Sequence, residues 1–266
     1  MTEEIMTEER LTEYGTEERR NKIIEILNKQ GKAKVNQLSK MFEISEVTIR
    51  NDLAKLESMG MLERVHGGAV STYRAYYRMS ISDRMKTNAN EKRNIAIEVA
   101  SMLSDDDTLM ISSGTTALYV LEEMNKLKNL TIVTNAIYFS QESANLRDFN
   151  IILLGGILEP RDQLTYGDDV INQLKRYKAD KLILSVDGVN SEDGISTYHY
   201  LEAEINRQMI ARAKKTIVVG DYTKIGRTSF AHISPLEDID ILVTNQNANE
   251  DEIQEIRDRG VEVRLV

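Results

Sequence analysis

The sequence predicts an α/β protein in two parts. A small helical head closed by a β-hairpin leads into a larger domain built on a mainly parallel sheet, covered by helices on both faces. Three observations predict this. Between Thr16 and Val70, three short stretches of helical apolar period are followed by two β-rich runs around a Gly-Gly pair. From Asp107 to Val266, seven continuous apolar runs alternate with amphipathic stretches, the pattern of strands buried on both faces. The length, 266 residues, suffices for one small and one medium domain.

The elements follow in order. Residues 1–15 repeat Thr-Glu-Glu with little apolar content and read as a disordered acidic tail. Thr16 caps a first helix with the apolar set Ile23, Ile24, Ile26 and Leu27, ended by Gly31. Val35, Leu38 and Met41–Phe42 make a second, short helix, and Glu43–Ile44 is a turn that permits only a sharp helix crossing. Ser45 is the N-cap of a third helix. Its Ile49, Leu53 and Leu56, at i, i+4 and i+7, form an inward stripe. Val47, Asn51 and Ala54, flanked by Thr48, Arg50 and Lys55, face outward. Met59–Gly60 closes the helix, and residues 62–64 and 69–70 flank Val65-His66-Gly67-Gly68 as a hairpin with glycines at its tip.

Helix, helix, turn, helix, hairpin is the order of a winged helix-turn-helix, here residues 16–71. The outer face of the third helix suits a DNA major groove, where Arg reads guanine, Asn reads adenine and small apolar groups meet thymine methyls. The expected DNA-binding residues are Ser45, Val47, Thr48, Arg50, Asn51 and Lys55, with Arg64 and His66 from the hairpin. The competing reading is an ordinary amphipathic helix pair that happens to carry basic residues.

Residues 72–90 read as a linker. Its Tyr73, Tyr76 and Tyr77 stand beside arginines, suited to packing at a domain interface or to stacking on bases or sugars. The second domain spans residues 91–266 and opens on a helix over 90–103. Strands are predicted at 108–111, 130–134, 150–154, 181–186, 216–219, 240–244 and 261–266. Helices are predicted near 115–125, 136–145, 168–177, 201–213 and 249–259. In such sheets ligands sit at the C-terminal strand ends. The first strand runs into Ser112-Ser113-Gly114-Thr115-Thr116 at a helix start, where free N–H groups and hydroxyls cradle a phosphate. The others end in Thr134-Asn135, Gly155-Gly156, Asp187-Gly188 and Gly220-Asp221-Tyr222-Thr223-Lys224, the last offering a carboxylate and a cation. Five such ends in one sheet point to a phosphorylated small molecule.

Val-Thr-Ile-Arg-Asn-Asp-Leu (47–53), then Leu56-Glu57 and Arg64-Val65-His66-Gly67-Gly68-Ala69, resembles the signature of the DeoR family of bacterial sugar-responsive repressors. The resemblance runs from Thr16 to Val266. The family usually has a second arginine at the place of Asn51; asparagine there occurs in the branch containing the repressor of N-acetylgalactosamine catabolism, and implies a different base preference. The resemblance also implies that the second domain is similar to ribose-5-phosphate isomerase and coenzyme A transferases. On it, Ser113, Gly114, Thr115 and Thr116 hold a sugar phosphate with Thr134 and Asn135. Gly155 and Gly156 complete the set of strand ends. Asp187, Glu202 and Lys224 line the sugar, matching the Asp-Gly, Glu-Ala-Glu and Asp-x-x-Lys positions of the family. Gly194-Ile195-Ser196-Thr197 is expected to close over it as a loop. Ser112 stands where the family usually has Asp, which is expected to alter the hydroxyls that are read.

Composition narrows the function. There is no cysteine, so thiol catalysis and disulfides are excluded and a reducing bacterial cytoplasm is the expected home. Three scattered histidines, His66, His199 and His232, lack metal-ligand spacing, and neither a metal nor a cofactor is expected. No apolar run reaches the roughly 20 residues that span a bilayer. The net charge is −9, unevenly spread: residues 16–74 carry eleven basic and eight acidic side chains, a local +3 on an otherwise acidic chain. The expected function is a DNA-binding regulator released from its operator by a sugar phosphate, assembled as a homodimer or homotetramer on repeated half-sites. The alternative is a phosphosugar isomerase, with acid and base drawn from Asp187, Glu202 and Lys224.

Overall fold

A computed structural model describes residues 15–30, 32–58, 62–71, 79–139 and 148–266. The acidic tail up to Tyr14, Gly31, Met59–Gly60, the linker tyrosines and most of the helix expected over 136–145 lie outside the described residues. The chain divides into two compact units, Met1–Thr87 and Asn88–Val266.

In the first unit, α1 (Thr16–Gln30), β1 (Lys32–Lys34), α2 (Val35–Phe42) and α3 (Glu46–Ser58) precede the hairpin of β2 (Leu62–Val65) and β3 (Gly68–Ser71), and α4 (Ile81–Lys86) follows. The apolar stripes meet as expected: Ile23, Ile24 and Leu27 of α1, Val35, Leu38 and Phe42 of α2, and Ile49, Leu53 and Leu56 of α3 share one core with Leu62 and Ala69. Two expected core positions fall short, since Ile26 is only partly buried and Met41 is 40 % exposed. Gly15, rather than Thr16, supplies the carbonyl that accepts the first helical bond, from the Arg19 N–H at 2.9 Å. Strand β1 was not foreseen. It pairs antiparallel with β3, giving the order β1-β3-β2. The pairing explains Gly68, where a Cβ would lie 2.2 Å from the Ala33 carbonyl oxygen; Gly67 serves the turn itself at φ +77°. Asp52 is buried in α3 and accepts from Arg19 Nε at 2.7 Å and Arg20 Nε at 2.9 Å, fixing α1 to α3.

The second unit opens with α5 (Ala89–Ser101). All seven expected strands form one sheet: β4 (Thr108–Ile111), β5 (Thr131–Thr134), β6 (Asn150–Leu153), β9 (Ala179–Ser185), β12 (Ala213–Val219), β14 (Ile241–Thr244) and β15 (Glu262–Leu265). They run in parallel in the order β15-β14-β12-β9-β4-β5-β6. Successive strand residues point to opposite faces. Ile241, Leu242, Val243 and Thr244 are nonetheless all buried, as are Leu109, Met110 and Ile111, so the central sheet is covered on both faces. The helices are α5, α6 (Thr115–Glu123), α7 (Asp168–Leu174), α8 (Tyr200–Arg212) and α9 (Glu250–Asp258). Two antiparallel additions lack any sequence signal: the ribbon of β7 (Ile157–Glu159) with β8 (Leu164–Tyr166), and the sheet of β10 (Gly188–Asn190), β11 (Gly194–Thr197) and β13 (Ala231–Ser234). The last corrects one expectation. Gly194–Thr197 is no closing loop but a fully buried strand, bonded to β10 on one side and β13 on the other.

Candidate functional site

On the first unit, Ser45 caps α3: its Oγ accepts from the Thr48 N–H at 3.1 Å and lies 2.9 Å from Thr48 Oγ1. Val47 is 63 % exposed, Asn51 and Lys55 are exposed, and Ala54 is partly buried. Arg50 is exposed and held at 2.5 Å by Glu46, one turn earlier. At the end of α3, Glu57 accepts from the N–H of Arg64 in the hairpin at 3.0 Å and from its Nε at 2.7 Å. These bonds, the backbone one first, hold the Glu57 carboxyl below the usual carboxylate range. They also pin the hairpin to the end of α3, with His66 exposed at the tip. The two glutamates escaped the sequence reading. Glu46 was visible as an i, i+4 partner of Arg50, whereas Glu57 meets Arg64 only through the fold.

On the second unit, the turn after β4 is built for close approach. Ser112 is buried, and its Oγ accepts from the Ser185 N–H at 2.9 Å, stitching β4 to β9. Gly114 has φ +140°, and a Cβ there would stand 2.4 Å from Ser185 Cβ. At the start of α6, the Gly114 N–H meets Tyr138 Oη at 2.6 Å, the Ala117 N–H meets Ser185 Oγ at 3.3 Å, and the Leu118 N–H bonds the Gly114 carbonyl. Among the described residues, nothing accepts from the N–H groups of Thr115 and Thr116. Those two donors lie at the positive end of the helix, a geometry that suits an anion and makes this turn the candidate cradle.

Three charged side chains converge beside it. Ser113 Oγ donates to Glu202 Oε1 at 2.6 Å. Thr197 Oγ1 lies 2.8 Å from Asp187 Oδ2 and 3.4 Å from Glu202 Oε2, and the Tyr198 N–H donates to Asp187 at 2.9 Å. Lys224 Nζ stands 3.9 Å from Asp187 Oδ1, with both side chains largely buried. Burial pushes the Asp187 carboxyl above the usual carboxylate range despite Lys224 and these donors. His199 enters the same neighbourhood, 3.6 Å from Asp162 Oδ2, a residue the sequence reading missed because nothing local marks it.

Not every expected residue joins this cluster. The Gly155 N–H and carbonyl are both bonded by Gln173, at 3.1 and 2.7 Å, which uses up the donor that an anion would need. Gly156 lies against the Tyr166 carbonyl and Val170. Gly155 is therefore tied to α7 and Gly156 packed against β8 and α7, and neither joins the turn at the start of α6. Thr134 Oγ1 accepts from the Ala136 N–H and so braces its own turn, while Asn135 Nδ2 donates to the Thr165 carbonyl at 2.9 Å and holds β8 to the end of β5. Asp221 is also turned inward: it accepts from Thr223 and from Asn88, leaving Lys224 as the contribution of its loop.

Two family descriptions match the chain: a DeoR-like helix-turn-helix domain over residues 19–74, and a DeoR C-terminal sensor domain over residues 87–246. The chain belongs to the DeoR family. Among curated relatives, it is 34 % identical to the "Putative aga operon transcriptional repressor" of Escherichia coli O157:H7, over 97 % of this chain and 96 % of that one. It is 33 % identical to the transcriptional regulator GolR of Listeria innocua, over 93 % and 98 %. A solved ribose 5-phosphate isomerase from Plasmodium falciparum overlaps 53 % of this chain and 52 % of its own, at 16 % identity and a TM-score of 0.38, a likeness too slight to carry an argument. In this DeoR-family regulator, no helix among the described residues is long and apolar enough to cross a membrane. Nor does any group of three or more His, Asp or Glu among them present a metal site.

Proposed function

We propose that this DeoR-family regulator represses a carbohydrate-utilisation operon from within the bacterial cytoplasm and lets go of its operator when a phosphorylated sugar occupies the strand-end site. The observation that carries the reading is the pair of unclaimed Thr115 and Thr116 N–H groups beside Ser113, Glu202, Asp187 and Lys224. A phosphate takes the donors, and carboxylates with one ammonium take the hydroxyls and carbonyl of the attached sugar. In the same chain, Val47, Arg50, Asn51 and Lys55 form an exposed face with the donors that read base edges, while Ser45 and Thr48 set the helix start and Arg64 and His66 the hairpin. A winged helix covers few base pairs, so two or more copies on repeated half-sites supply the specificity. The coupling of sugar and operator is a linkage of ~1–3 kcal/mol.

Asp187, Glu202 and Lys224 are also acid and base groups within reach of a bound sugar, which favours an isomerase as the second reading. One experiment separates the two. The purified chain is screened by thermal shift against glucose 6-phosphate, galactosamine 6-phosphate, ribose 5-phosphate and their relatives, then assayed with the best of them for operator release and for turnover. Stabilisation with release and no turnover is expected, and Arg50→Ala should lose operator affinity by ~1–3 kcal/mol while keeping the stabilisation. Steady turnover without any duplex binding would replace this reading with the enzyme.

A further inference from the structure

Lys224 ends a short 3-10 turn, Tyr222–Lys224, that bonds internally: the Lys224 N–H meets the Asp221 carbonyl at 2.9 Å, and Asp221 caps the turn through the Thr223 N–H at 3.0 Å. The turn therefore moves as one piece. Two buried asparagines tie it to the first turn of α5. Asn88 Nδ2 donates to Asp221 Oδ1 at 3.3 Å. Asn245 spans the other gap, accepting from the Tyr222 N–H at 3.2 Å and donating to the Glu91 carbonyl at 3.1 Å. Asn88 is the first residue of the second unit, so the chain arriving from the DNA-binding unit enters there.

The Asn88 tie is held loosely for a buried residue. Its backbone is left-handed, at φ 51°, a conformation that L side chains seldom adopt and that asparagine tolerates best. Its carbonyl accepts from the Lys92 N–H at 3.0 Å, but the one hydrogen bond of its side chain among the described residues is long, and its buried Oδ1 accepts nothing there. A left-handed backbone and an unused buried acceptor are features on which a switching element can be built.

We infer that the Tyr222–Lys224 turn, acting through Asn88, relays occupancy of the sugar site to the entry point of the sensor unit. Asn88 is a positioning residue in this relay, with no part in holding either ligand, and the inference rests on the functional reading above. A ligand that draws Lys224 away from Asp187 loads the turn, the turn loads Asp221, and the Asn88 contact at the start of α5 shifts.

The test is a coupling measurement on the full-length protein. The affinity of the best-stabilising sugar phosphate from the panel is titrated for the free protein and for its complex with an operator duplex obtained by selection from random sequence. The ratio of the two is the coupling factor, roughly 5–150 for wild type, and it equals the factor by which the sugar weakens operator binding. Asn88→Gly removes the amide yet keeps the left-handed backbone without strain. It should cut the coupling factor at least about threefold, with sugar affinity of the free protein and sugar-free operator affinity both within about twofold of wild type, changes small beside the typical coupling range. A variant factor equal to that of wild type overturns the relay alone. A wild-type factor of one overturns the functional reading and the relay with it. Should Asn88→Gly fail to fold, Asp221→Asn keeps the turn cap while weakening the same tie, and the same two outcomes decide.

Discussion

Gly114→Ala is the sharpest perturbation of the anion cradle. The backbone at φ +140°, ψ 148° lies beside the region that only glycine occupies freely, a strain of ~1–3 kcal/mol for any other residue. The new methyl would also stand 2.4 Å from Ser185 Cβ and 2.6 Å from Ser185 Oγ. The Cβ is fixed to strand β9, so no side-chain rotation relieves the contact; the β4 turn must move instead, at another ~1–3 kcal/mol. Together the substitution should cost ~2–6 kcal/mol in the unfolding of the second unit. The Thr115 and Thr116 donors ride on the same turn, so sugar-phosphate affinity should fall at least tenfold, since ~1.4 kcal/mol of misplacement suffices for that. Urea melts followed by far-UV circular dichroism and thermal shift with sugar phosphate read the two effects, the two units being treated as separate transitions. Ser185→Gly in the same chain should return the contact part and leave the backbone part. A Gly114→Ala protein with wild-type stability and wild-type sugar affinity would refute both the steric argument and the placement of the cradle.

Two further predictions test opposite ends of the molecule. Burial holds the Asp187 carboxyl above its unfolded range, so ionising it costs stability at neutral pH, and the cost vanishes as pH falls below the unfolded value. Asp187→Asn keeps an acceptor for Thr197 and Tyr198 and should raise the ligand-free melting temperature at pH 7, with the gap closing on acidification while sugar response is lost; a lower melting temperature at pH 7 contradicts this. Asp52→Ala leaves Arg19 and Arg20 without their shared carboxylate. Their side chains are still 11 % and 19 % exposed, so the cost should sit near the lower end of ~3–5 kcal/mol, visible as faster hydrogen exchange across α1. Unchanged exchange there would mean that the pair adds nothing.

The five inner parallel strands were legible because each carries a continuous apolar run, which a strand buried on both faces requires and few other elements tolerate, whereas the edge strands β6 and β15 are half-exposed and β15 carries Glu262 and Arg264. Helix α3 was legible because Ile49, Leu53 and Leu56 repeat at helical spacing below a good cap. What stayed hidden depends on partners far along the chain. Strand β1 is three residues with two lysines and exists because β3 offers an edge to it. Gly194–Thr197, a closing loop on the family resemblance, is a strand because β10 and β13 flank it. Gln173 reaches Gly155 across 18 positions and Asn88 reaches Asp221 across 133. Such ties leave no local pattern, which is why Gly155 and Asp221 looked available for a ligand when only the sequence was read.

The cluster around Thr197 has the geometry that the proposed sensing role asks for. Its single hydroxyl proton serves Asp187 at 2.8 Å, so at 3.4 Å Glu202 gains little from it and leans on Ser113 instead. Lys224 at 3.9 Å from Asp187 is an ion pair short of full contact. A ligand that brings hydroxyl donors between these carboxylates would add to bonds that Thr197 and Ser113 already make. A network satisfied by the fold alone would bind nothing, and one left wholly unsatisfied would not fold. Under the proposed function, a bound sugar would offset the desolvation of these buried carboxylates, and the free energy so gained is what the operator would lose.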